Sequence, residues 1–139
     1  MTGRKALDET GEFLKKIPFS QHLGIRIDSL EKGVARLSLE IRPEFTTSWG
    51  SAHGGSILSL LDVTLSMAAR TLFDPPRSIM TVDLSTSFIG TCTGVLRAEA
   101  RVLRAGQTTI FCEGEARDAE GELVAKAIGT FRSREPRQS

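Results

Sequence analysis

The sequence predicts an α+β fold in which a long antiparallel sheet curls around one central helix. Three observations carry this. Residues 55–72 form one long apolar stretch with helical spacing. Residues 95–132 hold three strand-like segments joined by short polar turns, and such turns connect antiparallel neighbours. A further alternating pair, over residues 24–41, precedes the helix. A sheet of that length with a single helix buries the apolar surface of both by wrapping the helix.

In order along the chain, Leu7, Phe13, Leu14 and Ile17 recur at helical spacing among charges, and Pro18 is expected to end that helix. Residues 1–19 thus read as an N-terminal helical segment packing on the domain. Ile25 and Ile27 mark a weakly alternating strand, and Glu31-Lys32-Gly33 a turn. Ala35, Leu37, Leu39 and Ile41 then alternate with Arg36, Ser38 and Glu40, the pattern of a half-buried hairpin strand that Pro43 ends. The central helix is expected from about Gly55 to Leu72, stopped by Phe73-Asp74-Pro75-Pro76. Strands over 78–89, 95–103, 108–117 and 123–132 complete a domain spanning residues 20–132. Residues 133–139 are polar and read as a flexible tail.

Composition narrows the function. The chain has 139 residues, 40% hydrophobic and 25% charged, enough for one core. Eighteen Lys and Arg stand against 17 Asp and Glu, and the arginines are spread out, so no clustered basic face for nucleic acid is expected. No apolar run approaches the ~18 residues that span a bilayer. The N-terminus has no apolar signal segment. A cytoplasmic protein with neither membrane nor nucleic-acid partner is the expectation. Cys92 and Cys112 are far apart and read as free thiols. With two histidines, His22 and His53, no His-rich metal site is available, and neither metal nor cofactor is expected. Walker, dinucleotide-binding and Gly-x-Ser-x-Gly motifs are absent.

One segment, from Thr46 to Arg70, concentrates the chemistry. His53-Gly54-Gly55 opens the central helix, where bare backbone N–H groups suit a developing negative charge. The helix carries one acid, Asp62. Ser59, Asp62, Ser66 and Arg70 make a narrow polar stripe amid leucines, Met67 and alanines. Two readings stand: the stripe faces water, or Asp62 is a held carboxylate serving as base or nucleophile beside an oxyanion site. His53 likewise reads as a structural hydrogen-bonder or as a participant. Phe45, Trp49, Leu58 and Leu65 suit an apolar acyl pocket and core packing equally.

Gly50-Ser51-Ala52-His53-Gly54-Gly55 followed by Leu61-Asp62 is similar to the G-x-x-H-G-G-x(6)-D signature of hotdog-fold acyl-CoA thioesterases of the PaaI-like (phenylacetate-pathway) branch. Thr81-Val82-Asp83-Leu84, the turn Val102 to Thr109, and Asp118 to Ala125 add to the resemblance, which covers residues 20–132. It implies hydrolysis of an acyl- or aryl-CoA, with CoA as part of the substrate and no cofactor. It also implies a homodimer, or a homotetramer built as a dimer of dimers, with active sites at the subunit interface. The Gly54 N–H would bind the thioester oxygen, with Gly55 beside it. Asp62 of the opposing subunit would act as base or nucleophile. Thr81 would hold the attacking water, and His53 would orient the loop. The pantetheine arm would pass Phe88, Ile89 and Gly90. Arg104, Gly106, Gln107 and Thr108 would meet the nucleotide. Thr47 stands where many relatives carry Asn, a longer donor and acceptor. That departure keeps a non-catalytic acyl-CoA-binding module open. An acyl-thioester dehydratase or hydratase, with His53 and Asp62 as its acid–base pair, is the other alternative.

Overall fold

The computed structural model describes residues 2–135. Helix α1 (Arg4–Leu14) and the short helix α2 (Pro18–Leu23) lead into strands β1 (Arg26–Glu31) and β2 (Val34–Ile41). A 3-10 turn at Pro43–Phe45 and a tight loop follow. The central helix α3 (Gly54–Arg70) comes next, then strands β3 (Ser78–Phe88), β4 (Gly94–Ala105), β5 (Thr109–Arg117) and β6 (Leu123–Arg134). The six strands form one sheet in the order β1-β2-β4-β5-β6-β3, every pair antiparallel.

The wrapped-helix expectation holds because the inward faces are sized for it. Leu60, Leu61, Leu65 and Ala68 of α3 are fully buried, as are Ala35, Leu37 and Leu39 of β2 and Ile110, Cys112 and Ala116 of β5. Small residues on the strands let the helix approach closely. A Cβ at Gly114 would stand 2.7 Å from Leu65 Cδ1 and 2.8 Å from the Glu99 carbonyl oxygen, so Leu65 occupies the space a side chain would need.

Two boundaries differ from the sequence reading. Pro18 starts a helix instead of ending one. Proline suits the first helical position, where its missing N–H has no partner to lose. Gly24 then closes α2 in the left-handed conformation at φ 79°, so a domain boundary at residue 19/20 would cut this helix. At the other end, Ser133 and Arg134 belong to β6. The Ser133 N–H donates to the Thr108 carbonyl at 2.7 Å, and its side chain is buried. Residues 136–139 of the expected flexible tail lie outside the described residues.

Strand β3 has a bulge that alternation did not reveal. Its pairing with β6 shifts register between Thr81 and Asp83, leaving Val82 as the extra residue. Before the bulge, Ile79 and Thr81 pair with the buried Ser133 and Phe131. After it, Leu84, Thr86 and Phe88 pair with the buried Gly129, Ala127 and Ala125. Inward parity therefore switches from odd to even, which brings Thr81 and Phe88 to the same face. The outer side of β3 is the end of the sheet, and Met80, Val82 and Phe88 stand half-exposed along it.

Candidate active site

The start of α3 is fixed by His53. Its backbone is extended (φ −65°, ψ 141°), and its Nδ1 accepts the Gly55 N–H at 2.8 Å, so the imidazole acts as the N-cap. An accepting Nδ1 carries no proton, which places the neutral ring's proton on Nε2. The His53 carbonyl accepts the N–H groups of Ser56 and Ile57, and its own N–H donates to the Phe45 carbonyl. From His53 to Ile57 these bonds engage every amide but one. Among the described residues, the Gly54 N–H has no acceptor. Of the two glycines singled out in the sequence, Gly54 keeps a free donor and Gly55 does not. The ring of Phe88 lies over Gly54, 3.5 Å from where its Cβ would be.

The preceding loop is closed on itself. A bridge joins Thr46 to Ala52, and the Ala52 N–H donates to the Cys92 carbonyl at 2.8 Å. Thr47 donates its N–H to the Ser51 carbonyl, and its hydroxyl accepts the Trp49 N–H at 3.1 Å. Thr47 therefore braces the loop. Trp49 at its apex is 91% exposed. Phe45 and Leu65 belong to the core, whereas Leu58 is partly exposed near the start of α3.

Two turns along α3, Asp62 is half-buried and Thr81 of β3 donates its hydroxyl to Asp62 Oδ1 at 2.7 Å. The polar stripe is not a plain solvent face. Ser59, Asp62 and Ser66 are half-buried, and Arg70 at its end is 7% exposed. Eight residues of helix separate Gly54 from Asp62, about 12 Å at 1.5 Å per residue. Groups that attack and polarise one carbonyl must each lie within about 3 Å of it. Gly54 and Asp62 of one chain cannot serve the same carbonyl.

Phe88, Ile89 and Gly90 gather at the Gly54 end. The N–H groups of Ile89 and Gly90 both donate to the Val124 carbonyl, and a Cβ at Gly90 would meet the Leu123 carbonyl oxygen at 2.8 Å. Gly106, Gln107 and Thr108 lie at the other end of the helix, where they and Phe73 and Arg77 line a groove of about 690 Å3. Arg104 is exposed opposite Phe111. One chain therefore does not bring the two expected CoA-contacting groups together. Among the described residues no cluster of three His, Cys, Asp or Glu side chains could hold a metal ion, and no helix is long and apolar enough to cross a membrane.

Sequence reasoning missed the Phe88–Gly54 contact and the burial of Arg70. The first had a signal. Ile79 and Thr81 are odd-numbered and Leu84, Thr86 and Phe88 even, a break in parity that marks a bulge.

The family model for the thioesterase superfamily matches residues 50–125, which include His53, Gly54, Asp62 and Thr81. A Saccharolobus solfataricus protein with a provisional esterase designation is 38% identical over 128 residues, covering 91% of this chain and 89% of that protein. The medium/long-chain acyl-CoA thioesterase YigI of Escherichia coli is 28% identical over 148 residues, covering 94% and 96%. The solved structure of E. coli PaaI, from the phenylacetic acid degradation operon, superposes with a TM-score of 0.88 at 20% identity, covering 96% of each chain.

Proposed function

The chain belongs to the thioesterase superfamily and has its hotdog fold, and from that premise we propose that it hydrolyses an acyl- or aryl-CoA thioester to the acid and free CoA. The observation that carries the reading is the half-buried Asp62 carboxylate, held by Thr81, on a helix whose first residue presents an unpaired amide. The carboxylate would activate water or attack the carbonyl carbon, and the Gly54 N–H would receive the oxyanion. Because the two are about 12 Å apart in one chain, the site is completed by a second copy. Pairing two β3 edges would place Asp62 of one subunit near Gly54 of the other and cover Met80 and Val82. Thr81 would orient Asp62 directly. His53 would hold the loop and leave the Gly54 amide free. Phe88, Ile89 and Gly90 would line the path of the pantetheine arm. The turn at Gly106–Thr108 and Arg104 would meet the nucleotide from another copy. No cofactor enters this scheme.

In the hydratase alternative His53 could serve only as the acid, because its Nδ1 lone pair is committed to Gly55 and its Nε2 carries the proton. The binding-module alternative draws on Thr47, whose hydroxyl accepts the Trp49 N–H inside the loop. Tight CoA binding with no thioester turned over would select it.

Subunit mixing tests the shared site. Gly54→Pro removes the N–H at the first helical position, where proline is accommodated, and His53 already has the extended backbone that a residue before proline needs. Gly54→Pro and Asp62→Asn proteins are each expected to be nearly inactive in a thiol-release assay on phenylacetyl-, benzoyl-, short- and medium-chain acyl-CoAs. Refolded together, they should regain about a quarter of wild-type turnover, because half the dimers then hold one intact site. No recovery, with dimers present, would remove the interfacial mechanism.

A further inference from the structure

Arg70 closes the polar row that starts at Asp62 and passes through Ser66, each step one turn of α3. It is 7% exposed, yet no acidic side chain among the described residues pairs with it, and burial alone lowers its pKa to about 10. Its guanidinium stacks on the Phe13 ring of α1, 3.8 Å from the centroid. Nη1 donates to the Arg77 carbonyl at 2.8 Å, and Nε is sealed from solvent without an acceptor. Nη2 has no acceptor among the described residues either, but unlike Nε it is open to solvent. A buried cation with one neutral partner is costly, and its cost falls when an oxyanion reaches it.

The surroundings supply an approach. Arg70 lines a groove of about 840 Å3 between α1 and the start of β3. Arg4, Lys5, Lys16 and Arg77 border it, against three carboxylates of α1. Arg77 also borders the groove at the Gly106–Thr108 turn, so the two depressions adjoin. From Asp62 to Arg70 the helix advances about 12 Å, a distance that the body of a thioester substrate can span.

We infer that the groove over Arg70 is an oxyanion subsite, taking a carboxylate or phosphate group that the substrate carries at a distance from its reacting carbonyl. Guanidinium binds both through the same charge-assisted N–H···O contacts. The two sources are the far end of the acyl group and the nucleotide of CoA. This assignment rests on the thioesterase reading for its substrate, but its chemistry is testable without turnover.

The experiment compares ratios of kcat/KM, which do not depend on how much protein is folded. One arm sets adipyl-CoA against hexanoyl-CoA. The other sets a hexanoyl-CoA thioester against hexanoyl-pantetheine. Arg70→Gln should lower one of these ratios about 10- to 100-fold, the scale of a lost hydrogen bond to a charged group. Arg70→Lys, which keeps charge but not the planar fork, should fall between. A change in the first ratio assigns the acyl end, and a change in the second assigns the nucleotide. If Arg70→Gln does not fold, Arg70→Lys carries the test. If no thioester is turned over, the thioesterase reading fails. Calorimetric titration with CoA and with adipate then decides the subsite, and weaker binding of either by the variant supports it. Both ratios and both affinities within twofold of wild type in a folded variant would overturn the inference.

Discussion

The Thr81 hydroxyl donates to Asp62 Oδ1 at 2.7 Å, joining the first half of the edge strand to the middle of the central helix. Thr81 is exposed and Asp62 half-buried, so the bond fixes the carboxylate's orientation while leaving its other oxygen available. Thr81→Val keeps the shape and removes the donor. Turnover is expected to fall about 10- to 100-fold, the scale of a hydrogen bond to a charged group, while Thr81→Ser retains most of it. Steady-state thiol release separates the two. Equal rates for Val and Ser would show that the bond does not position Asp62.

His53 is expected to act chiefly as a helix cap. His53→Ala should lower stability by about 0.5–2 kcal/mol, and His53→Asn, whose side-chain oxygen can accept the same N–H, should restore most of it. Thermal melts measure both. An Asn variant as unstable as the Ala variant would mean that the imidazole does more than accept the Gly55 proton.

Gly114 has no room for a methyl group. Its ideal Cβ would meet Leu65 Cδ1 at 2.7 Å and the Glu99 carbonyl oxygen at 2.8 Å, and backbone cannot swing aside as a side-chain end can. Gly114→Ala is expected to cost about 1–3 kcal/mol in denaturant unfolding. Gly54→Ala, whose Cβ would stand 3.5 Å from Phe88, serves as the tolerated comparison. A stable Gly114→Ala protein would show that α3 can shift away from β5.

Burial pushes the Cys112 thiol from 9.0 up to about 12. The folded value lies above the unfolded one, so its contribution to stability is fully present below pH 9 and is lost as pH rises toward 12, where the unfolded chain ionises first. The melting temperature of wild type should therefore fall more steeply above pH 9 than that of Cys112→Ala. A thiol reagent at pH 8 should leave Cys112 unmodified until the protein is denatured. Parallel melting curves for the two proteins would contradict this account.

Much of the fold was legible because local and global signals agree. Ala35, Leu37 and Leu39 alternate in sequence and are buried in the sheet, and the apolar run of α3 is long enough to need covering on several sides. Gly54 and Asp62 were legible as candidates, and the helix rise alone shows that the pair in one chain cannot reach a single carbonyl. What the pattern hid were matters of partner and context. Pro18 reads as a stop after one helix and as a start before another, and only packing decides. Arg70 looks like the solvated end of a polar stripe until Phe13 of α1 is seen stacked upon it. The bond that the Thr47 hydroxyl accepts from the Trp49 N–H within its own loop was also invisible in the sequence.

The extra residue in β3 makes spacing, and not only residue identity, a requirement of this protein. Thr81 and Phe88 are separated by an odd number of positions, which an unbroken strand would send to opposite faces. Deleting Val82 would repair the ladder with β6 and could even firm up the sheet. The same deletion would turn either Thr81 away from the carboxylate or Phe88 away from the Gly54 amide, with both side chains still in the sequence. A homologue can therefore keep Gly54, Asp62, Thr81 and Phe88 and still lose their geometry through a change of one in the count between Thr81 and Phe88.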